Sequence, residues 1–216
     1  MNISRANRAF SLVELLVVMA IMAVLGSIVM MSFSGLIGSN RLVAGGNDLI
    51  NLANHARQEA ISKNTMTALV LISSPGQPQW DRRVFRVMEL IPADAIANTA
   101  AAWAPASAWH SLPDGISPDS QTDTLPTFSA NLNLPASLPA LNFKGTTIST
   151  SQLEEIVFLP DGRLLSSAST TGNSFVTPPV LRLFNKAVAS TAPTTLGNYY
   201  QITFNSLTGE PIVDRP

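Results

Sequence analysis

Cysteine is absent from the 216 residues, and that single absence removes several classes of protein. A disulfide framework, a Cys-ligated zinc site and the lipid-bearing Cys of a lipoprotein all need a residue this chain does not have. Charge is scarce as well: Asp, Glu, Lys and Arg make up 12% of the chain, and 13 basic against 14 acidic side chains leave a formal net charge of −1. A domain that captures a polyanion through bulk charge needs a basic excess, so nucleic acid is not an expected partner. The two His, His55 and His110, have no His-x-x-x-His or Glu-x-x-His spacing and read as solvated side chains. The sequence contains no Walker A loop, no Gly-x-Gly-x-x-Gly fingerprint and no Gly-x-Ser-x-Gly elbow. Nothing marks an enzyme, and no cofactor is expected.

What the chain does have is one long apolar run behind a basic leader. From Leu15 to Met31 only Gly26 and Ser27 interrupt it. At 1.5 Å per residue those positions rise about 26 Å, and the flanks lengthen the run enough to cross a bilayer. The expected membrane helix covers 10–33. Its odd feature is Glu14, since a carboxylate at bilayer depth costs roughly 2.5–3.5 kcal/mol and is a functional hypothesis by default. A secretory signal peptide would be shorter, with small residues at a cleavage site on the far side and no acid at the head of its apolar region.

The stretch Phe10-Ser11-Leu12-Val13-Glu14-Leu15-Leu16-Val17-Val18-Met19-Ala20-Ile21 resembles the cleavage and methylation motif of type IV prepilins and type II secretion pseudopilins. The resemblance implies a leader over 1–9, a cut between Ala9 and Phe10, methylation of Phe10, and a role for Glu14 in filament assembly. The family prefers Gly before the cut, where this chain has Ala9. It also implies the fold: α+β and pilin-like, one long amino-terminal helix packed on a carboxy-terminal antiparallel sheet. Loss of the leader removes Arg5 and Arg8, leaving 11 basic against 14 acidic side chains, a net of −3 before the new amino terminus. An ammonium on Phe10 and the Glu14 carboxylate are each costly in lipid, and each becomes tolerable on meeting the other.

Residues 34–65 form the expected amphipathic half of that helix. Leu42, Leu49, Leu52, Ala53, Ala56, Ala60 and Ile61 recur at helical spacing, with Asn47, Asn51, Arg57 and Lys63 opposite. Gly45-Gly46 read either as a break into two helices or as local flexibility. The remainder, 66–216, reads as an antiparallel β domain. Strands are expected at Thr67–Ser73, Arg82–Ile91, Glu155–Leu159 and Arg163–Ser166 (these two as a hairpin), Val180–Asn185, Tyr199–Asn205 and Pro211–Val213, with a polar loop at Ser167–Pro179. Pro92 to Gln152, rich in Ala, Ser, Pro and Thr, reads as a variable insertion with short strands around Ala102–Leu112 and Leu141–Ile148. Trp103 and Trp109 share one face of a strand and read as core packing in preference to a binding platform.

Leu112-Pro113-Asp114-Gly115 and Leu159-Pro160-Asp161-Gly162 are tight turns, because Pro presets φ, Asp caps its own turn and Gly accepts the left-handed position. Phe158 to Gly162 also resembles the Phe-x-Pro-Asp-Gly hairpin of tip pseudopilins, as Ala56 to Ile61 resembles their first-strand approach. The terminal pattern from Thr208 to Pro216, with Trp109 and Leu112-Pro113, is similar to the pilin-like Verru_Chthon cassette protein D family.

Asp114, Asp119 and Asp123 are weak candidates for a calcium site, and solvation explains them more simply. Arg82, Arg83 and Arg86 form the one basic cluster, flanked by Asp81 and Glu89, so ion pairs account for it. Alternation would put Arg82 and Arg86 on one face and Arg83 on the other. The expected protein is a structural filament subunit without catalytic residues. Its partners would be other pilin or pseudopilin subunits, a prepilin peptidase, inner-membrane assembly machinery and lipid. Arg5 and Arg8 before the span place the amino end in the cytoplasm and the domain in the periplasm. The alternatives are a DNA-capturing tip subunit, whose basic end would here be only Arg215 beside Glu210 and Asp214, and a membrane-anchored envelope protein of other function.

Overall fold

The computed structural model describes residues 12–74, 77, 79–118, 138–165, 179–185 and 199–214, apart from the side chains of 28–37 and 185. The leader 1–9, Phe10, Pro75-Gly76, nearly all of the expected polar loop and the terminal Arg215-Pro216 lie outside them. Helix α1 runs Leu12–Lys63, 52 residues, and the chain divides within that range into two compact units, Met1–Asn40 and Arg41–Pro216.

In the first unit the large apolar side chains from Leu12 to Leu25 are exposed on every side of the helix. Among the described residues no helix is long and apolar enough to cross a membrane, and the expected span 10–33 falls only partly within them.

In the second unit α1 continues to Lys63 and buries Leu42, Leu49, Leu52, Ala53, Ala56 and Ala60. These are the stripe positions that helical spacing selects. Ile61 departs from the expectation: it is 46% exposed and sits at the rim beside Gly162. The helix does not break at Gly45-Gly46. Close approach requires Gly46, since a β-carbon there would run into the Tyr200 ring, and makes Gly45 a tight fit, since one there would lie 3.0 Å from Pro113. Gly in a helix interior costs about 1 kcal/mol against Ala, and here that cost lets an aromatic ring lie against the backbone.

Strands β1 (Thr67–Ile72), β2 (Val84–Ile91), β3 (Ala102–Pro105), β4 (His110–Ser111) and β8 (Leu153–Phe158) form one antiparallel sheet in the order β3-β2-β1-β8, with β4 also on β2. Strands β5 (Ile116–Pro118), β9 (Val180–Asn185), β10 (Tyr199–Phe204) and β11 (Pro211–Asp214) form a second, ordered β11-β10-β9-β5. Strands β6 (Leu141–Phe143) and β7 (Thr146–Ile148) make a separate hairpin. The stretch from Pro92 to Gln152 thus supplies strands to both sheets.

Alternation along β1 sorts the core into two layers. Leu69 and Leu71 face the helix stripe, with Phe85, Ile156, Phe158, Leu183, Tyr200, Ile202 and Phe204. Ala68, Val70 and Ile72 face the other way, onto Met88, Trp103, Leu141, Phe143, Ile148 and Val157. All six positions of β1 are consequently buried. Trp103 is core, as expected, while Trp109 lies outside β3 and β4 and only packs against the second layer.

The basic cluster is resolved differently from the expectation of a strand starting at Arg82. That residue takes φ +51° in the turn before β2, so strand alternation does not reach it. It pairs with Glu154 at 2.6 Å, Arg83 with Asp114 at 3.3 Å, and Arg86 donates to the Ser107 carbonyl at 2.9 Å. Of the flanking acids, Asp81 accepts the Ser74 N–H at 2.7 Å, and Glu89 pairs with Lys63 across to the helix.

Candidate functional site

The front of α1 is built from residues that favour a helix and offer water nothing. Leu12 is 84% exposed and Val13 70%, and a helix apolar on all sides needs an apolar surround. Its few polar groups fit such a setting. Ser27 donates its hydroxyl to the Val24 carbonyl at 2.7 Å, so this hydroxyl is satisfied within the helix. Glu14 lies in the first turn, where the positive end of the helix dipole favours an anion. Ala9 and Phe10 lie outside the described residues.

The other singled-out residues are scattered. Asp114 is exposed and paired with Arg83, Asp119 and Asp123 lie outside the described residues, and no cluster of three metal-ligating side chains occurs among those described. His55 and His110, separate in sequence, line one cavity of about 290 Å³ with Asp48, Asn51, Leu52 and Ser107. His55 is 3.7 Å from Glu59, and His110 stacks on Phe85 at 6.4 Å between centroids.

Sequence reasoning missed Glu155. It sits in β8 opposite Val70, fully buried, with neither carboxylate oxygen hydrogen-bonded. Burial pushes its pKa from 4.5 up to about 8, because an apolar surround disfavours the charged form. The signal was present: Glu154-Glu155 stand together in a strand, so alternation must send one to each face. Glu154 finds Arg82, and Glu155 finds no partner among the described residues.

A helix with an apolar front and a rear laid on antiparallel sheets defines the class, an α+β pilin-like subunit. Residues 4–30 match the prokaryotic N-terminal methylation motif. Residues 46–186, more than half of the chain, match the type II transport protein GspH, and the chain belongs to that family. It is a type II secretion pseudopilin with a prepilin cleavage and methylation motif, a structural protein and not an enzyme. The motif implies processing by a prepilin peptidase, an inner-membrane anchor and assembly with other pilins. No curated protein and no solved structure matches the chain.

Proposed function

We propose that the chain enters the inner membrane with its amino end cytoplasmic and its β domain periplasmic. It is then cut between Ala9 and Phe10, methylated on Phe10, and drawn by inner-membrane machinery into a type II secretion-like filament. The observation that carries this reading is the exposed apolar surface from Leu12 to Leu25 with one acid, Glu14, in its first turn. Lipid covers that surface before assembly, and neighbouring helices cover it afterwards. Glu14 meets the new ammonium of Phe10, in its own chain or the next, where both charges are shielded from hydrocarbon. Nucleic acid and metal have no part in this reading.

The test separates processing from assembly in cells with a prepilin peptidase. Intact mass should show loss of the nine leader residues and gain of one methyl. Glu14→Ala and Glu14→Gln should be inserted and cut as the natural chain is, but should fall at least tenfold in the sheared filament fraction relative to the membrane. Persistence of the full-length chain would refute the cut, and wild-type incorporation of both variants would make Glu14 a bystander.

A further inference from the structure

A second feature has no part in subunit assembly as proposed above. An open cleft of about 380 Å³ lies between the turn leading into β2, the segment through β4 and the tip of the β6–β7 hairpin. Its size falls in the roughly 300–1,000 Å³ range of small-molecule sites. Its wall combines three aromatic rings with cations. Phe143 holds Trp80 and Trp109 edge-to-face, with centroids at 5.3 and 5.4 Å. The Trp109 indole N–H also donates to the Asn142 carbonyl at 3.2 Å, and the Arg86 guanidinium lies 5.0 Å from the Trp109 ring. Both indoles are therefore fixed in place by the protein itself, and both remain partly exposed.

The charges are unequal. Asp114 is the one acid among the described residues of the wall, and Arg83 already pairs with it. Lys144 has no carboxylate partner among the described residues. Its place is set by the hairpin, where Lys144 at φ +49° and Gly145 at φ +80° form the two-residue turn typical of tight hairpins. Gln79, His110 and Ser111 add further polar groups to the wall. Aromatic faces beside several separate hydrogen-bonding groups suit a ligand with an apolar ring face and hydroxyls around its edge. The Lys144 ammonium, 5.4 Å from the Phe143 ring centroid and without a carboxylate among the described residues, suits a ligand that also carries an acid.

We propose that this cleft binds an acidic saccharide, a uronic-acid unit whose ring stacks on an indole while its carboxylate meets Lys144. The inference goes beyond the filament role and stands independently of it.

Tryptophan fluorescence reads the cleft directly, because two of the chain's three Trp line it and the third, Trp103, is buried in the core. The full chain is held in a polyoxyethylene detergent, which has no sugar headgroup, and titrated with a galacturonic acid trisaccharide. A saturable fluorescence change is expected, with affinity at least tenfold above that for the neutral galactose trisaccharide. Lys144→Asn keeps the turn, since Asn tolerates the left-handed conformation. It should weaken the acidic trisaccharide at least tenfold and leave the neutral one unchanged. Three results would overturn the proposal: no saturable response to the acidic trisaccharide, an unchanged affinity in Lys144→Asn, or a response to an oligoglutamate peptide and to neither sugar. The last would make the cleft a peptide site.

Discussion

Glu155 shows how far one side chain can set the behaviour of a domain. Its carboxyl is neutral when folded up to about pH 8 and ionised when unfolded from about pH 4.5. Below the lower value both states are protonated, and the contribution to stability is fully retained. As pH rises toward the upper value, the unfolded state gains about 1.4 kcal/mol per pH unit relative to the folded one. Above it the loss levels off. Urea unfolding can follow this in a chain starting at Arg41, which keeps every buried core residue from Leu42 onward. Between about pH 5 and 8 the natural chain should lose more stability than Glu155→Gln, which cannot ionise. Parallel slopes would mean that the carboxyl has a partner or reaches water. The Gly pair makes a second case at this scale. Gly46→Ala gains helix propensity but drives a methyl into the Tyr200 ring, and overpacking of this kind costs about 1–3 kcal/mol. Gly26 has nothing within 4 Å of the same added carbon. Gly46→Ala should therefore lower the urea midpoint of the Arg41 chain, and an unchanged midpoint would show that the ring moves aside freely.

Among the elements, the long helix and most strands could be read from the sequence because their signals are local. The Leu42 to Ala60 stripe repeats at 3.6 residues, and Val180–Asn185 begins and ends where alternation placed it. Both Leu-Pro-Asp-Gly turns form, with Gly115 at φ +85° and Gly162 at φ +83°. What escaped is what distant residues decide. Gly45-Gly46 carries no sign in its own neighbourhood that Tyr200 will lie against it. Arg82 looks like a strand residue, yet it takes φ +51° before β2 with Glu154 of β8 as its partner. β5 pairs with β9 across a separation that no short-range pattern spans. The cleft was hidden for the same reason, since its walls come from three separate segments. The amino-terminal motif was legible throughout, because charge, Phe10, Glu14 and the apolar run follow one another in a single stretch.

For the molecule as a whole, charge argues against a polyanion as cargo. In the Arg41–Pro216 unit several described arginines are used internally: Arg57 donates to the Thr208 carbonyl, Arg82 and Arg83 pair with acids, and Arg182 donates to the Gln201 side chain. Such a surface offers few phosphate contacts, and affinity for DNA grows with their number. The unit should leave duplex DNA unshifted in a gel at physiological salt. Micromolar binding that weakens steeply as salt rises would restore the DNA-capture alternative.

The contact between Tyr200 and the helix also has a consequence in time. The Tyr200 hydroxyl donates to Asn47 across 153 residues of sequence, and Arg57 reaches the Thr208 carbonyl across 151. The helix leaves the ribosome first and the β10 part of its cover, with Tyr200, Ile202 and Phe204, last. At roughly 5–20 residues per second, about 8–30 seconds separate the two. Throughout that interval Leu69, Leu71 and Phe85 can already cover part of the stripe, which still lacks Tyr200, Ile202 and Phe204. The carboxy-terminal strands therefore act as a latch on the domain: a chain that stops short of β10 leaves the helix partly uncovered, and β10 completes the cover.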